Sequence, residues 1–272
     1  MTKTKIPYLD YVWNITKGCD PISAGCEKCW AKKMSKRLSG MGARGYDKEN
    51  PFAVKFCDWK LDEPLLHKKP SIIGVSFMGD LFHYDINKKE IFDVFEVMME
   101  AEQHTFILCT KRPQRILSFV EKFDFNKTFI PNVWFGCSIE DKKSFYTRMP
   151  FMVALKKEYG INTWLSIEPL LEDLSGINPD WLKHIDQVIV GGESGTGARY
   201  CDPTWIVKIQ DICKNKNIPF YFKQWGTNKQ NYDVRYTGKS FAEMGFLRNI
   251  TDNDIFCTVT DIEQIKQLAW KR

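Results

Sequence analysis

"SIIGVSFMGDLFHYDINKKEIFDVFEVMMEAEQHTFILCT", residues 71–110, holds two apolar runs of strand length with a helical pattern between them. The runs, SIIGVSFM (71–78) and TFILCT (105–110), are nearly continuous in apolar character, as strands covered on both faces are. Between them, KKEIFDVFEVMMEAEQ (88–103) puts Ile91, Phe92, Phe95, Met98 and Met99 on one stripe with acids and lysines opposite. A strand, a crossover helix and a second strand form the unit from which parallel sheets are built, and the crossover is right-handed.

The same pattern extends in both directions. Further strand-like runs are YVWNIT (11–16), NVWFGCSI (132–139), TWLSIE (163–168), QVIVGG (187–192) and PFYFKQW (219–225), seven in all. A second helix is expected over 203–217, PTWIVKIQDICKNKN, with Asp202 as its cap and Pro203 just inside it. This alternation predicts an α/β fold with a full or partial (β/α) barrel of about six to seven βα units. A doubly wound open sheet is the alternative; no glycine-rich phosphate loop follows the first strand. The expected division is a barrel over 1–226 and a C-terminal extension over 227–272 packed on it, with DIEQIKQLAW (261–270) as a terminal helix.

With 272 residues and 43% hydrophobic content, one large core is possible. There is no run of 18 apolar residues, and MTKTKIPYLDYVWNITK has no apolar stretch of the signal-peptide kind, so a soluble, cytoplasmic protein without a membrane partner is expected. The nine cysteines are an odd number, and most stand singly in apolar runs such as FILCTK and VWFGCSIE, as buried free thiols do. A net charge of +5 is compatible with a nucleotide or nucleic-acid partner.

The exception to that scatter is GCDPISAGCEKCWAKK (18–33), with Cys19, Cys26 and Cys29 close together. Structural zinc takes four protein ligands, and a fourth would have to come from Cys57, His67 or His83. A redox pair of Cys26 and Cys29 leaves Cys19 without a role. A 4Fe-4S cluster on three thiolates leaves one iron open to another molecule, such as S-adenosylmethionine. In a parallel barrel the strand ends converge on one mouth, and here they carry Gly79, Asp80 and His83; Lys111 and Arg112; Ser138, Glu140 and Asp141; Glu168; Gly191 to Ser194; and Lys223, Gln224 and Trp225.

Eight blocks bear a resemblance. They are WNITKGCDPISAGCEKCWA (13–31), MGDLFH (78–83), QHTFILCTKRPQR (103–115), PNVWFGCSIED (131–141), SIEPLL (166–171), VIVGGESGTGAR (188–199), PFYFKQWG (219–226) and GKSFAEM (238–244). From residue 6 to about residue 244 the chain thereby resembles the three-Cys-motif phage protein family, an uncharacterised group related to radical S-adenosylmethionine enzymes. The resemblance implies a radical-SAM-type barrel with a 4Fe-4S cluster on Cys19, Cys26 and Cys29. The spacing of six and then two residues departs from the common three and then two, and Trp30 follows the last cysteine where an aromatic commonly precedes it.

In that light Met78, Gly79 and Asp80 look like the element that receives the S-adenosylmethionine amino group, and Lys111 or Arg112 could pair with its carboxylate. Ser138 and Glu140 could hold the ribose, and Trp30 could line the cofactor. Glu193 argues against phosphate at VGGESG and suits a hydrogen bond to adenine, ribose or substrate. Glu168, before Pro169, is read either as a functional carboxylate or as a structural partner of Lys223. His83 is a possible fourth ligand or proton donor, and Trp225 a possible stacking surface for a base.

The expected activity is reductive cleavage of S-adenosylmethionine to a 5'-deoxyadenosyl radical that acts on a nucleobase, nucleotide or nucleic acid, fed by an electron donor such as flavodoxin or ferredoxin. The alternative is a non-enzymatic zinc protein whose basic face, including AKKMSKRL (31–38), grips nucleic acid; with Met34 and Leu38 four apart, that segment reads more simply as a solvated first helix with one buried stripe. A barrel hydrolase using Glu168 and Glu193 would leave the cysteines unexplained.

Overall fold

The structure, a computed structural model, describes residues 1–227; the expected extension over 227–272 and the GKSFAEM block lie outside that range apart from Thr227. The described elements are β1 (Thr2–Lys3), β2 (Tyr11–Trp13), β3 (Thr16–Lys17), α1 (Trp30–Gly40), β4 (Lys55–Phe56), α2 (Glu63–Leu66), β5 (Ile72–Val75), α3 (Lys88–Glu100), β6 (Thr105–Thr110), α4 (Pro113–Phe123), β7 (Val133–Ser138), α5 (Lys142–Tyr159), β8 (Asn162–Ile167), β9 (Gln187–Gly191), α6 (Pro203–Asn215) and β10 (Phe220–Gln224). The main sheet has eight strands, and β3 and β4 form a separate antiparallel pair. All seven predicted strands are present. The main sheet is open, so of the two barrel forms expected the partial one is met.

The chain divides into two compact units. The first comprises Met1–Cys137 and Ala154–Asn162, the second Ser138–Val153 and the chain from Thr163. In the first unit β2 pairs in parallel with β5, β5 with β6 and β6 with β7, while β1 adds an antiparallel edge on β2. Its core is aromatic: Phe95 of α3 lies 4.8 Å from Phe119 of α4 and 5.7 Å from Phe135 of β7, all three fully buried. Truncating such a ring typically costs about 3–5 kcal/mol. Helix α3 starts in a capping box, in which Asn87 accepts from the Glu90 amide and Glu90 from that of Asn87. Its buried side is Ile91, Val94, Phe95, Val97 and Met98, with Phe92 and Met99 half-buried at its margins.

In the second unit β8, β9 and β10 pair in parallel around Leu165, Ile167, Val188, Val190 and Phe220. Helix α6 begins as the sequence predicts, with the Asp202 carboxylate accepting the Thr204 amide at 2.9 Å and Pro203 in the first turn.

Two sequence expectations shift. The run 11–16 divides, because after Trp13 the chain turns away: the Asn14 side chain accepts the Met78 amide at 3.0 Å and Thr16 begins the β3–β4 pair. The run 71–78 ends at Val75, since Ser76 sits in the left-handed region with φ 58°. In α1 the buried stripe is Ala31, Ser35 and Ser39, not Met34 and Leu38. Small residues let the helix sit close, and Met34 faces outward. The eight described cysteines are free, Cys57, Cys137, Cys201 and Cys213 being buried. Burial pushes the Cys201 and Cys213 thiols up to about 12. Among the described residues no helix is long and apolar enough to cross a membrane.

Candidate cysteine-cluster site

The three clustered cysteines belong to the first unit, on the connection from β3 to α1. Gly18 opens it with φ +75°, and a Cβ there would lie 2.1 Å from the Ala53 carbonyl oxygen, so only glycine fits. Its amide donates to the Met78 carbonyl at 3.0 Å, and Gly18 bridges Gly79 in parallel fashion. A Cβ on Gly79 would in turn lie 2.9 Å from the backbone of Lys17. The loop after β5 therefore fixes the residue next to Cys19. A single 3-10 turn, Ala24–Cys26, carries the second thiol, and Cys29 is the N-cap residue of α1. All three thiols are half-buried.

Their surroundings differ. Cys19 Sγ accepts from Arg112 Nη1 at 3.3 Å, and that same nitrogen donates to Asp80 Oδ2 at 2.7 Å. Asp80 is buried and also accepts from the Thr110 hydroxyl at 2.7 and 2.9 Å and from the Phe82 amide at 2.9 Å. Arg112 Nη2 donates to the Asp20 carbonyl at 3.3 Å. Burial, followed by the Asp80 charge, pushes the Cys19 thiol up to about 11 despite Arg112. Around Cys26, burial acts upward, but the Lys111 ammonium, the Ile22 amide at 3.5 Å and the Ser23 hydroxyl at 3.7 Å outweigh it and hold the thiol below its ordinary value. Lys111 Nζ reaches the Ser23 hydroxyl at 3.3 Å.

His83 is buried, with Nδ1 accepting the Asp85 amide at 3.2 Å and Nε2 at 3.2 Å from the Asp20 carboxylate. Asp20, His83 and Asp85 are, among the described residues, the one group of three whose ligand atoms lie within 4.8 Å of one another. The three thiol sulfurs are not so drawn together, whereas the sulfur ligands of one tetrahedral zinc at about 2.3 Å would be. Trp30, the first residue of α1, is 48% exposed. Sequence reasoning missed Gly18, Asp20, Ser23 and Thr110; the Gly18-Cys19 pair and the threonine ending β6 were the available signals.

The second unit carries the remaining site candidates as ion pairs. Glu140 is fully buried, and Arg148 Nη1 lies 2.7 Å both from its carboxylate and from the Ser138 carbonyl. This arrangement ties the Glu140 carboxylate into the interior, where a ribose would have to displace a guanidinium, while Ser138 is held through its backbone carbonyl and is half-buried. Glu193 is also buried, and Arg199 reaches it through its backbone amide at 2.9 Å, Nε at 3.0 Å and Nη2 at 2.5 Å. Glu168 Oε1 lies 3.0 Å from Lys223 Nζ, and the Ser166 hydroxyl donates to its other oxygen at 3.2 Å, with both charged side chains partly exposed. Its bond to Pro169 is cis. The glycines of VGGESG allow close approach of backbone to backbone: a Cβ on Gly192 would lie 2.0 Å from the Trp225 carbonyl oxygen. Trp225 itself is buried and set edge-on against Phe222 at 4.6 Å, so the stacking surface expected there is covered.

Fold and site together define a mostly parallel α/β protein with a three-thiol loop between its first strands and first long helix. Residues 3–252 match the family described as a protein of unknown function, DUF5131, and the chain belongs to that family. The match does not carry the three-Cys-motif phage name. A comparison with curated proteins finds no match. Among solved structures, spore photoproduct lyase complexed with dinucleoside spore photoproduct matches with a TM-score of 0.52 at 10% identity, covering 99% of this chain and 74% of that one. A cysteine-to-serine mutant of the same lyase gives 0.52 at 11%, and a cysteine-to-alanine mutant with the dinucleoside 0.51 at 9%, with the same coverage. At such identity the likeness is one of fold.

Proposed function

We propose that this chain is a radical S-adenosylmethionine enzyme acting on a nucleobase, nucleotide or nucleic acid. The observation that carries the reading is the set of three half-buried thiols on one short loop, fixed by Gly18 and Gly79 and backed by two cations. The donor set fits a 4Fe-4S cluster, with Cys19, Cys26 and Cys29 as its ligands. Arg112, whose Nη1 already reaches the Cys19 sulfur, also has a buried Nε without a partner, an orphaned donor that a bound group would explain. Bound there, the cluster would supply the electron for reductive cleavage of S-adenosylmethionine, delivered by a flavodoxin- or ferredoxin-like donor.

The chain's own residues position and shield. Arg112 is committed to Asp80, so Lys111 is the cation assigned to the methionine carboxylate. Met78 and Gly79 hold the cysteine loop through Gly18, and Trp30 offers an exposed ring beside Cys29. In the second unit the partly exposed Glu168 and Lys223 pair is the acid and base candidate, while Ser138, Glu140 and Glu193 are assigned to fold stability.

A nucleic-acid-type substrate is supported by two further facts. Two of the similar lyase structures named above hold a dinucleoside photoproduct, and α1 exposes Lys32, Lys33, Lys36 and Arg37 with no acid among its residues. The resemblance to the three-Cys-motif phage family agrees with the same class.

Anaerobic purification with iron, sulfide and zinc analysis tests the reading. Brown protein with about four irons, which forms 5'-deoxyadenosine from S-adenosylmethionine on reduction, is the expected result. Colourless protein with one bound zinc, even after attempted cluster reconstitution, would overturn it in favour of a zinc-containing nucleic-acid-binding protein.

A further inference from the structure

We infer that Arg112 is a positioning residue for the cluster, which anchors Cys19 and sets the cluster's reduction potential, and is not a ligand of S-adenosylmethionine. The inference rests on the cluster reading above. Arg112 lies in the loop after β6 and is buried, and each terminal nitrogen of its guanidinium has a protein partner. Nη1 is shared between Asp80 Oδ2 at 2.7 Å and Cys19 Sγ at 3.3 Å, and Nη2 goes to the Asp20 carbonyl at 3.3 Å.

The other half of the device is Asp80, which turns the guanidinium rather than neutralising the sulfur. Its two oxygens take the Thr110 hydroxyl, the Phe82 amide and Arg112, so carboxylate and guanidinium are both locked from β5 and β6. Thr110 closes the circuit by also accepting the Arg112 amide at 3.0 Å. A rotatable lysine could supply charge to Cys19, but not a fork that binds carboxylate, sulfur and carbonyl at once. The three thiols are consequently unequal: Cys19 takes its support from a buried ion pair, Cys26 from loop donors and Lys111.

The chemistry follows from charge. Reduction adds one electron to the cluster, and an N–H donor with positive charge at a ligand sulfur stabilises that state, which raises the potential. Removing it lowers the potential and loosens the Cys19 arm.

The test compares wild type with Arg112→Lys, Arg112→Met and the double variant Asp80→Asn with Arg112→Met, which removes both charges together and leaves no buried ion unpaired. Read out are iron content, cluster midpoint potential by anaerobic titration, and near-ultraviolet circular dichroism for folding. The inference expects native-like dichroism in the double variant, a more negative midpoint and faster loss of iron, with partial recovery in Arg112→Lys. A folded double variant with unchanged midpoint and iron retention overturns it. So does an Arg112→Met that keeps midpoint and iron but weakens S-adenosylmethionine binding at least tenfold, since that would return Arg112 to the methionine carboxylate. A wild type that takes up no iron removes the cluster reading itself, which the first measurement reveals before any variant is compared.

Discussion

The two units both pair carboxylates with cations at the ends of their strands, but among the described residues only the first brings cations to sulfur. In the second, carboxylates meet cations one to one: Glu140 with Arg148, Glu193 with Arg199, Glu168 with Lys223. In the first, Arg112 is paired with Asp80 as well but also reaches the Cys19 sulfur, and Lys111 stands beside Cys26. A buried carboxylate that has its guanidinium needs nothing more, whereas the Lys111 ammonium and the loop donors favour the deprotonated form at Cys26, and burial with Asp80 holds Cys19 protonated despite Arg112. On the proposed function, the contrast assigns stability to the buried Glu140 and Glu193 pairs, and chemistry to the first unit's loop and to the partly exposed Glu168 and Lys223 pair.

The largest expected effect breaks the contrast at its sulfur side. Cys26→Ala should lose the brown colour and the bound iron altogether while circular dichroism stays native. An unchanged iron content would mean that these thiols are not ligands.

Next comes Arg148→Met, which strands the fully buried Glu140 carboxylate and should cost about 3–5 kcal/mol in a denaturant titration. Cluster content at low temperature should be unaffected. If the cluster were lost at full stability, Glu140 would be part of the site rather than of the frame.

The basic face of α1 gives the third. Lys32→Glu with Lys36→Glu should weaken binding to a single-stranded oligonucleotide and reduce the salt slope by about 0.7 for each phosphate no longer neutralised. Formation of 5'-deoxyadenosine without substrate should not change. Smaller still is Glu168→Gln, whose partly exposed pair with Lys223 is worth about 1 kcal/mol or less. A fall in substrate turnover far beyond that is the result expected of a catalytic Glu168, and turnover that falls no further than stability does would make the pair structural.

The smallest effect is a pH dependence seated in the frame of the first unit. His104 is fully buried, with Nε2 on the His67 carbonyl at 2.8 Å and the Pro64 carbonyl at 3.2 Å. Burial lowers its pKa below the usual 6.5 despite those hydrogen bonds. The unfolded chain therefore takes up the proton first as the pH falls. The stability contribution is whole above 6.5 and is lost as the pH falls below it toward the folded value. The midpoint of thermal unfolding should drop between pH 7.5 and 5.5, less so in His104→Gln.

Much of the fold is legible in the sequence, for reasons that differ by element. The strand β6 falls on the apolar run 105–110 to the residue, because a strand covered on both faces has only one way to write itself. The run 11–16 reads as one strand and folds as two, because its division depends on Asn14 and Ser76, which meet Met78 and Thr16 from far along the chain. A pattern of size selects Met34 and Leu38 as the buried side of α1, since it cannot show that Ala31, Ser35 and Ser39 face a close neighbour.

Local order fixed the succession of strands and helices, the caps at Asn87 and Asp202, and the presence of three thiols within one loop, since these depend on residues a few positions apart. Which cation serves which buried anion was decided only by tertiary structure. Arg112 finds Asp80 and Cys19, Arg148 finds Glu140 and Arg199 finds Glu193, whereas Lys223 as a partner of Glu168 was one of the two readings the sequence offered. Electrostatic partners are chosen by distance and burial in space, and charge at a strand end reads the same in sequence whether it is spent on a neighbour or kept for a ligand.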